Sequence, residues 1–177
     1  SRSAGSQRLL SWLERGVSHR TVPQQERSPM TYQFARIDLE QTSYSHDLVE
    51  WQWIPDRDPA TIQRLQEIYR TYCIYKHFAS VMPVFASRFL DPMADVIGYY
   101  DQGKLVAWSL IRRFDDHNAL CDQFAWTYHR PRMRLGIETM KVECAIYRER
   151  GFRYLYLEQA HLYKSEIEGF EILGPMT

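Results

Sequence analysis

His129-Arg130-Pro131-Arg132-Met133-Arg134-Leu135-Gly136 is the stretch that decides how this chain is read. It follows the aromatic run Phe124-Ala125-Trp126-Thr127-Tyr128 and opens a segment of helical periodicity. A helix start leaves N–H groups unpaired and carries partial positive charge, and guanidinium groups add bidentate donors. Three arginines and a glycine at such a start make a seat for a phosphate or pyrophosphate. Arg130, Arg132, Arg134, Leu135 and Gly136 are therefore candidate anion-binding residues, weighed against a solvated basic turn.

Downstream, Ile137, Met140, Cys144 and Tyr147 recur at helical spacing, which predicts a helix over 136–150 stopped by Gly151. Tyr154 to Leu157 is a predicted strand and Phe170 to Leu173 a short closing one. Upstream, 118–128 is a strand, and 96–100 and 105–112 form a hairpin about Asp101-Gln102-Gly103-Lys104. Asp58-Pro59 is a strong helix start, an N-cap followed by proline, and Ile62, Leu65, Tyr69, Tyr72 and Cys73 carry that helix over 59–78. Residues 81–90 suit a second short helix, 32–39 a first strand and 48–54 another extended piece. Residues 1–30 stand apart as an N-terminal extension: a short helix over 7–15 burying Leu9, Trp12 and Leu13, then a polar linker. The remaining 31–177 is of a size for one domain.

Composition narrows the function. The formal net charge of zero disfavours a dedicated nucleic-acid module, which carries a basic surplus. The three cysteines are far apart without a Cys-x-x-Cys pair, so a zinc ribbon or redox motif is not expected. Asp115-Asp116-His117-Asn118 invites a metal reading, but turn chemistry explains the same residues, and no metal is expected. No apolar run approaches the ~20 residues that span a bilayer, and a cytoplasmic protein without a membrane partner is expected.

The order strand, hairpin, strand, arginine/glycine loop, helix, strand, then a tyrosine ahead of Gly169-Phe170-Glu171 resembles the GCN5-related N-acetyltransferase superfamily over roughly residues 32–173. The loop keeps the basic start and the last glycine of that family's pyrophosphate loop and lacks the middle glycine. Arg134-Leu135-Gly136, Tyr154-Leu155-Tyr156-Leu157 and Tyr163-Lys164 are also similar to the catalytic half of arginyl- and leucyl-tRNA–protein transferases. The resemblance implies an α/β (α+β) domain with a mixed, mostly antiparallel central sheet flanked by helices. It implies an N-acyltransferase taking acetyl-CoA or another acyl-CoA as donor and a primary amine of a small molecule or peptide as acceptor. The alternatives are an aminoacyl-tRNA-dependent enzyme, which would make tRNA a partner, and a catalytically silent binding module of the same fold.

Amine acylation needs an oriented donor, a polarised carbonyl and a deprotonated amine. The resemblance assigns the first two to backbone N–H groups of Phe124, Ala125 and Trp126, and makes Tyr163 the acid for the leaving group. Asp122 and Glu158, in or at the end of predicted central strands, are candidate bases or else structural carboxylates. His161 is a further candidate base. Tyr69, Tyr72, Tyr75 and Lys76 either line the acceptor side or form an aromatic core face, and their helical spacing favours the core.

Overall fold

The computed structural model describes residues 33–78, 83–127 and 133–175. The expected extension over 1–30 and two of the loop arginines, Arg130 and Arg132, lie outside them. The elements in order are β1 (Gln33–Asp38), β2 (Glu50–Trp53), α1 (Pro59–Tyr75), α2 (Ala86–Leu90), β3 (Ala94–Asp101), β4 (Lys104–Arg113), β5 (Asn118–Trp126), α3 (Leu135–Glu149), β6 (Tyr154–Leu157) and β7 (Phe170–Pro175). The strands form one sheet in the order β2-β3-β4-β5-β6-β1-β7. Every neighbouring pair is antiparallel except β5 with β6, so the sheet is mixed and mostly antiparallel, as expected.

Local chemistry sets the ends of these elements. The Asp58 carboxylate accepts the Thr61 N–H at 2.8 Å, and Pro59 fills the position where an N–H has no helical partner. The helix stops at Tyr75, short of the predicted 78, where His77 enters left-handed backbone at φ 54°. Between β3 and β4, Gln102 and Gly103 both take positive φ, the geometry of a tight hairpin turn. Asp115 accepts the N–H groups of His117 and Asn118 at 2.7 and 2.8 Å, which is the turn chemistry of that segment. The second helix begins only at Ala86, and β2 is preceded by a 3-10 turn, His46–Leu48.

Alternating side chains serve the two faces of the sheet. Val96, Trp108 and Leu110 pack under α1 and α2, against Ile62, Leu65 and Phe89. Ile97, Val106, Ile111 and Leu155 pack under α3, against Val142, Ile146 and Tyr147. Trp108 also donates its indole N–H to the Leu65 carbonyl at 2.9 Å, tying α1 to the sheet. The first strand lies between β6 and β7. The approach to β7 needs a glycine: Gly169 has φ +74°, and a Cβ there would stand 2.3 Å from the Asp38 carbonyl oxygen. The Asp38 N–H donates to the Gly169 carbonyl at 2.8 Å.

Candidate active site

The parallel pair β5–β6 is a fork. Its register runs from Asn118 opposite Tyr154 to Cys121 opposite Leu157 and goes no further. Beyond that point β5 continues to Trp126, still laddered to β4, while the chain after β6 turns off through residues 158–161 into the 3-10 turn Leu162–Glu166. The parting coincides with a bulge: Leu110 faces Gln123 and Ile111 faces Cys121, so Asp122 is an extra residue with no partner on β4. A bulge adds twist and bends its strand, which is how one strand leaves a neighbour it has followed.

The fork opens into a cleft of about 520 Å³ that reaches the first turn of α3. A smaller recess of about 260 Å³ shares Tyr163, Phe124 and Gly136 with it and runs to Cys121, Glu143 and Lys164. The cleft wall is aromatic. Tyr72 of α1 meets the rings of Phe124 and Trp126 edge-on at 6.4 and 5.3 Å, and Phe78 stands 5.8 Å from Tyr72. His161 stacks on Tyr163 at 5.9 Å across from them. The Lys76 ammonium lies 5.8 Å from the centre of the Trp126 ring.

At the far end, α3 starts without a side-chain cap, preceded by Arg134 in left-handed backbone at φ 49°. Gly136 lines the cleft. Among the described residues nothing lies within 4 Å of where its Cβ would stand. None of the described residues therefore requires a glycine there, although glycine in a helix costs up to about 1 kcal/mol against alanine.

The expected site residues fall on both sides of this geometry. Phe124 and Trp126 put their rings in the cleft, whereas Ala125 is fully buried on the other side against Trp108 and the α1 core. Leu135 and Gly136 border the cleft. Arg134 also does, with its guanidinium in an exposed 2.9 Å pair with Glu166. Tyr163 lines both chambers, and its phenol pKa is raised above 10.0 by loss of surrounding water, then by the nearby Tyr72. Glu158 is exposed at the rim of the recess. Asp122 borders the recess too, but its carboxylate is held 2.6 Å from the Arg88 guanidinium of α2. His161 lines both chambers with its pKa lowered, first by desolvation and then by Lys164, so its neutral imidazole is favoured. Of the α1 aromatics, Tyr72 with Lys76 lines the cleft, and Tyr69 packs 6.4 Å from Trp108.

One residue escaped the sequence reading. Glu143, on the inner face of α3, is 3% exposed. Ser109 donates to it at 2.5 Å, Tyr99 at 3.1 Å and the Cys121 thiol at 3.3 Å. Burial raises its pKa in spite of those three donors. The signal was a glutamate three residues after Met140, inside the predicted apolar stripe of α3. Beside it, Lys164 has its pKa lowered from 10.5 by burial. Among the described residues no cluster of His, Cys, Asp and Glu suits a metal ion, and no helix is long and apolar enough to cross a membrane.

No protein-family model matches the sequence, and no curated protein matches it. Solved structures match the fold. The C-terminal domain of a protein assigned as a lysylphosphatidylglycerol synthetase in Agrobacterium fabrum aligns with a TM-score of 0.58 and 14% identity, over 73% of this chain and 47% of that one. The GCN5-related glucosamine N-acetyltransferase region of a fungal multi-domain β-N-acetylglucosaminidase gives 0.57 and 11%, over 81% and 20%. A GCN5-related N-acetyltransferase from Anabaena variabilis gives 0.55 and 7%, over 80% and 37%. This chain thus spans less than half the length of each. At these identities the likeness is one of fold: the seven-stranded sheet and its helices are GCN5-related N-acetyltransferase-like.

Proposed function

We propose that the protein is an N-acyltransferase that moves an acyl group from an acyl-CoA donor to a primary amine of a small molecule or peptide. The observation that carries this is the fork between β5 and β6, which opens beside the uncapped start of α3. Strand edges hold N–H and C=O groups that need partners. An amide-bearing arm lying along β5 past Cys121 takes the place of the missing strand, as peptides do at sheet edges. Its phosphates then meet the first turn of α3 at Gly136, with Arg134 beside it. The N–H groups of the Phe124–Trp126 strand polarise the acyl carbonyl, and the tetrahedral oxyanion draws more from them than the ground state does.

The acceptor comes from the aromatic side, past Tyr72 and Phe78. Its proton goes to a base beside the cleft, Glu158 or His161; Asp122, already paired with Arg88, is the weaker candidate. Tyr163 gives its phenolic proton to the departing thiolate.

A thermal-shift panel with acetyl-CoA, longer acyl-CoAs and charged tRNA tests the donor. A ligand that binds only the folded chain at about 100 times its Kd adds about 2.7 kcal/mol of stability. Stabilisation by CoA compounds, with transfer to an amine, is expected. Stabilisation by charged tRNA alone replaces the donor, and CoA binding without turnover on any amine makes the domain a binding module. No shift with any of them removes the proposal.

A further inference from the structure

Lys164 borders the recess beside the fork. It belongs to the 3-10 turn after β6 and lines the inner recess with Cys121, Glu143, Glu158 and Tyr163. Each element around that recess contributes a titratable group to its lining: Tyr72 of α1, Cys121 and the Arg88-paired Asp122 of β5, Glu143 of α3 and Glu158 after β6. His161 and Tyr163 come from its own turn. Among the described residues none of the carboxylates closes an ion pair with it. Its Nζ reaches the Gln159 carbonyl at 3.5 Å and lies 5.9 Å from the Tyr163 ring centre. Lys164 is half-buried in the recess that the buried Glu143 also lines, and partial loss of water lowers its pKa from 10.5.

A donor whose acyl carbonyl lies at Phe124 borders the recess that Phe124, Cys121 and Lys164 line together. We propose that Lys164 is a self-acylation site, its Nζ accepting the acyl group of a thioester donor lodged in the fork. The proposal rests on the acyl-CoA reading above. The nitrogen lone pair attacks the thioester carbonyl and a C–N bond forms. The C–S bond breaks with its electron pair leaving on sulfur, and the proton shed by nitrogen goes to that thiolate. The products are a free thiol and an Nε-acyl-lysine, with no oxidant or second reactant. The amide is neutral and occupies the recess, so a modified chain turns away the next donor.

The test incubates the full chain with acetyl-CoA, follows each lysine by peptide mass spectrometry, and records the thermal shift of the same sample. Lys164 is expected to gain one acetyl group at least about tenfold faster than Lys104, an exposed lysine of the β3–β4 turn, a small part of what holding two reactants together supplies. Its rate is also expected to level off below the ordinary lysine value of 10.5. In Lys164→Arg, incorporation should fall to the level of the exposed lysines. Acetylation of Lys164 no faster than that of Lys104 overturns the inference. The thermal shift separates the two failures: with a shift, the donor reading stands and self-acylation falls; without one, both fall.

Discussion

Gly136 and Gly169 are the same residue type under opposite demands. At Gly169 the backbone is left-handed and the Asp38 carbonyl fills the space a side chain would need. Gly169→Ala is expected to cost about 2–4 kcal/mol, read as a lower Tm. At Gly136, among the described residues, the space is open and borders the cleft. Gly136→Ala should leave the fold unchanged or add up to about 1 kcal/mol of stability. It should also weaken acetyl-CoA about tenfold, or about 1.4 kcal/mol, by calorimetry. A variant that melts no lower and binds no worse would strip the helix start of its donor role. For Tyr163, removal of the hydroxyl in Tyr163→Phe is expected to lower turnover about 10²-fold, the contribution of a positioned acid, with donor binding little changed. Sequence showed the tyrosine and both glycines. It did not show that Asp122 would be spoken for, because Arg88 arrives from a helix far away along the chain.

Among the elements, α3 borders both chambers of the site, and its buried carboxylate leaves a pH signature. Burial lifts the Glu143 pKa in the folded chain, so the folded state holds a proton that the unfolded state has released. That contribution to stability is complete below the ordinary glutamate value of 4.5 and fades as the pH climbs through the folded-state value. Urea unfolding from about pH 4.5 upward should show wild type losing stability relative to Glu143→Gln, which has no proton to lose. Parallel curves would place the charge elsewhere. Helix ends and strands with local signals were legible: Asp58-Pro59, Gly151, Gln102-Gly103 and Tyr154–Leu157 fall where the chain's own chemistry puts them. The polar lining of the α3 face was not. Ser109, Tyr99 and Cys121 come from three strands, and periodicity sees only one element at a time.

For the whole molecule, charge and strand order matter most. A chain with no net charge lacks the field that draws long polyanions. Raising salt from about 50 to about 200 mM should therefore lower acyl-CoA affinity less than tenfold, where a tRNA held through many phosphates would lose about 10³-fold or more. A steep salt slope would shift the donor towards tRNA. The mixed sheet and its flanking helices were implied by the family resemblance that the order of elements carries, but the seat of β1 between β6 and β7 was not read, since no local pattern encodes a neighbour more than a hundred residues away. That seat brings Gln33 opposite Pro175. The described domain thus enters and leaves at one corner of the sheet, so a host protein could carry it as a graft in the middle of its own chain. Likewise, a ring closed from 175 to 33 and reopened at Gln102-Gly103 should fold with its fork intact.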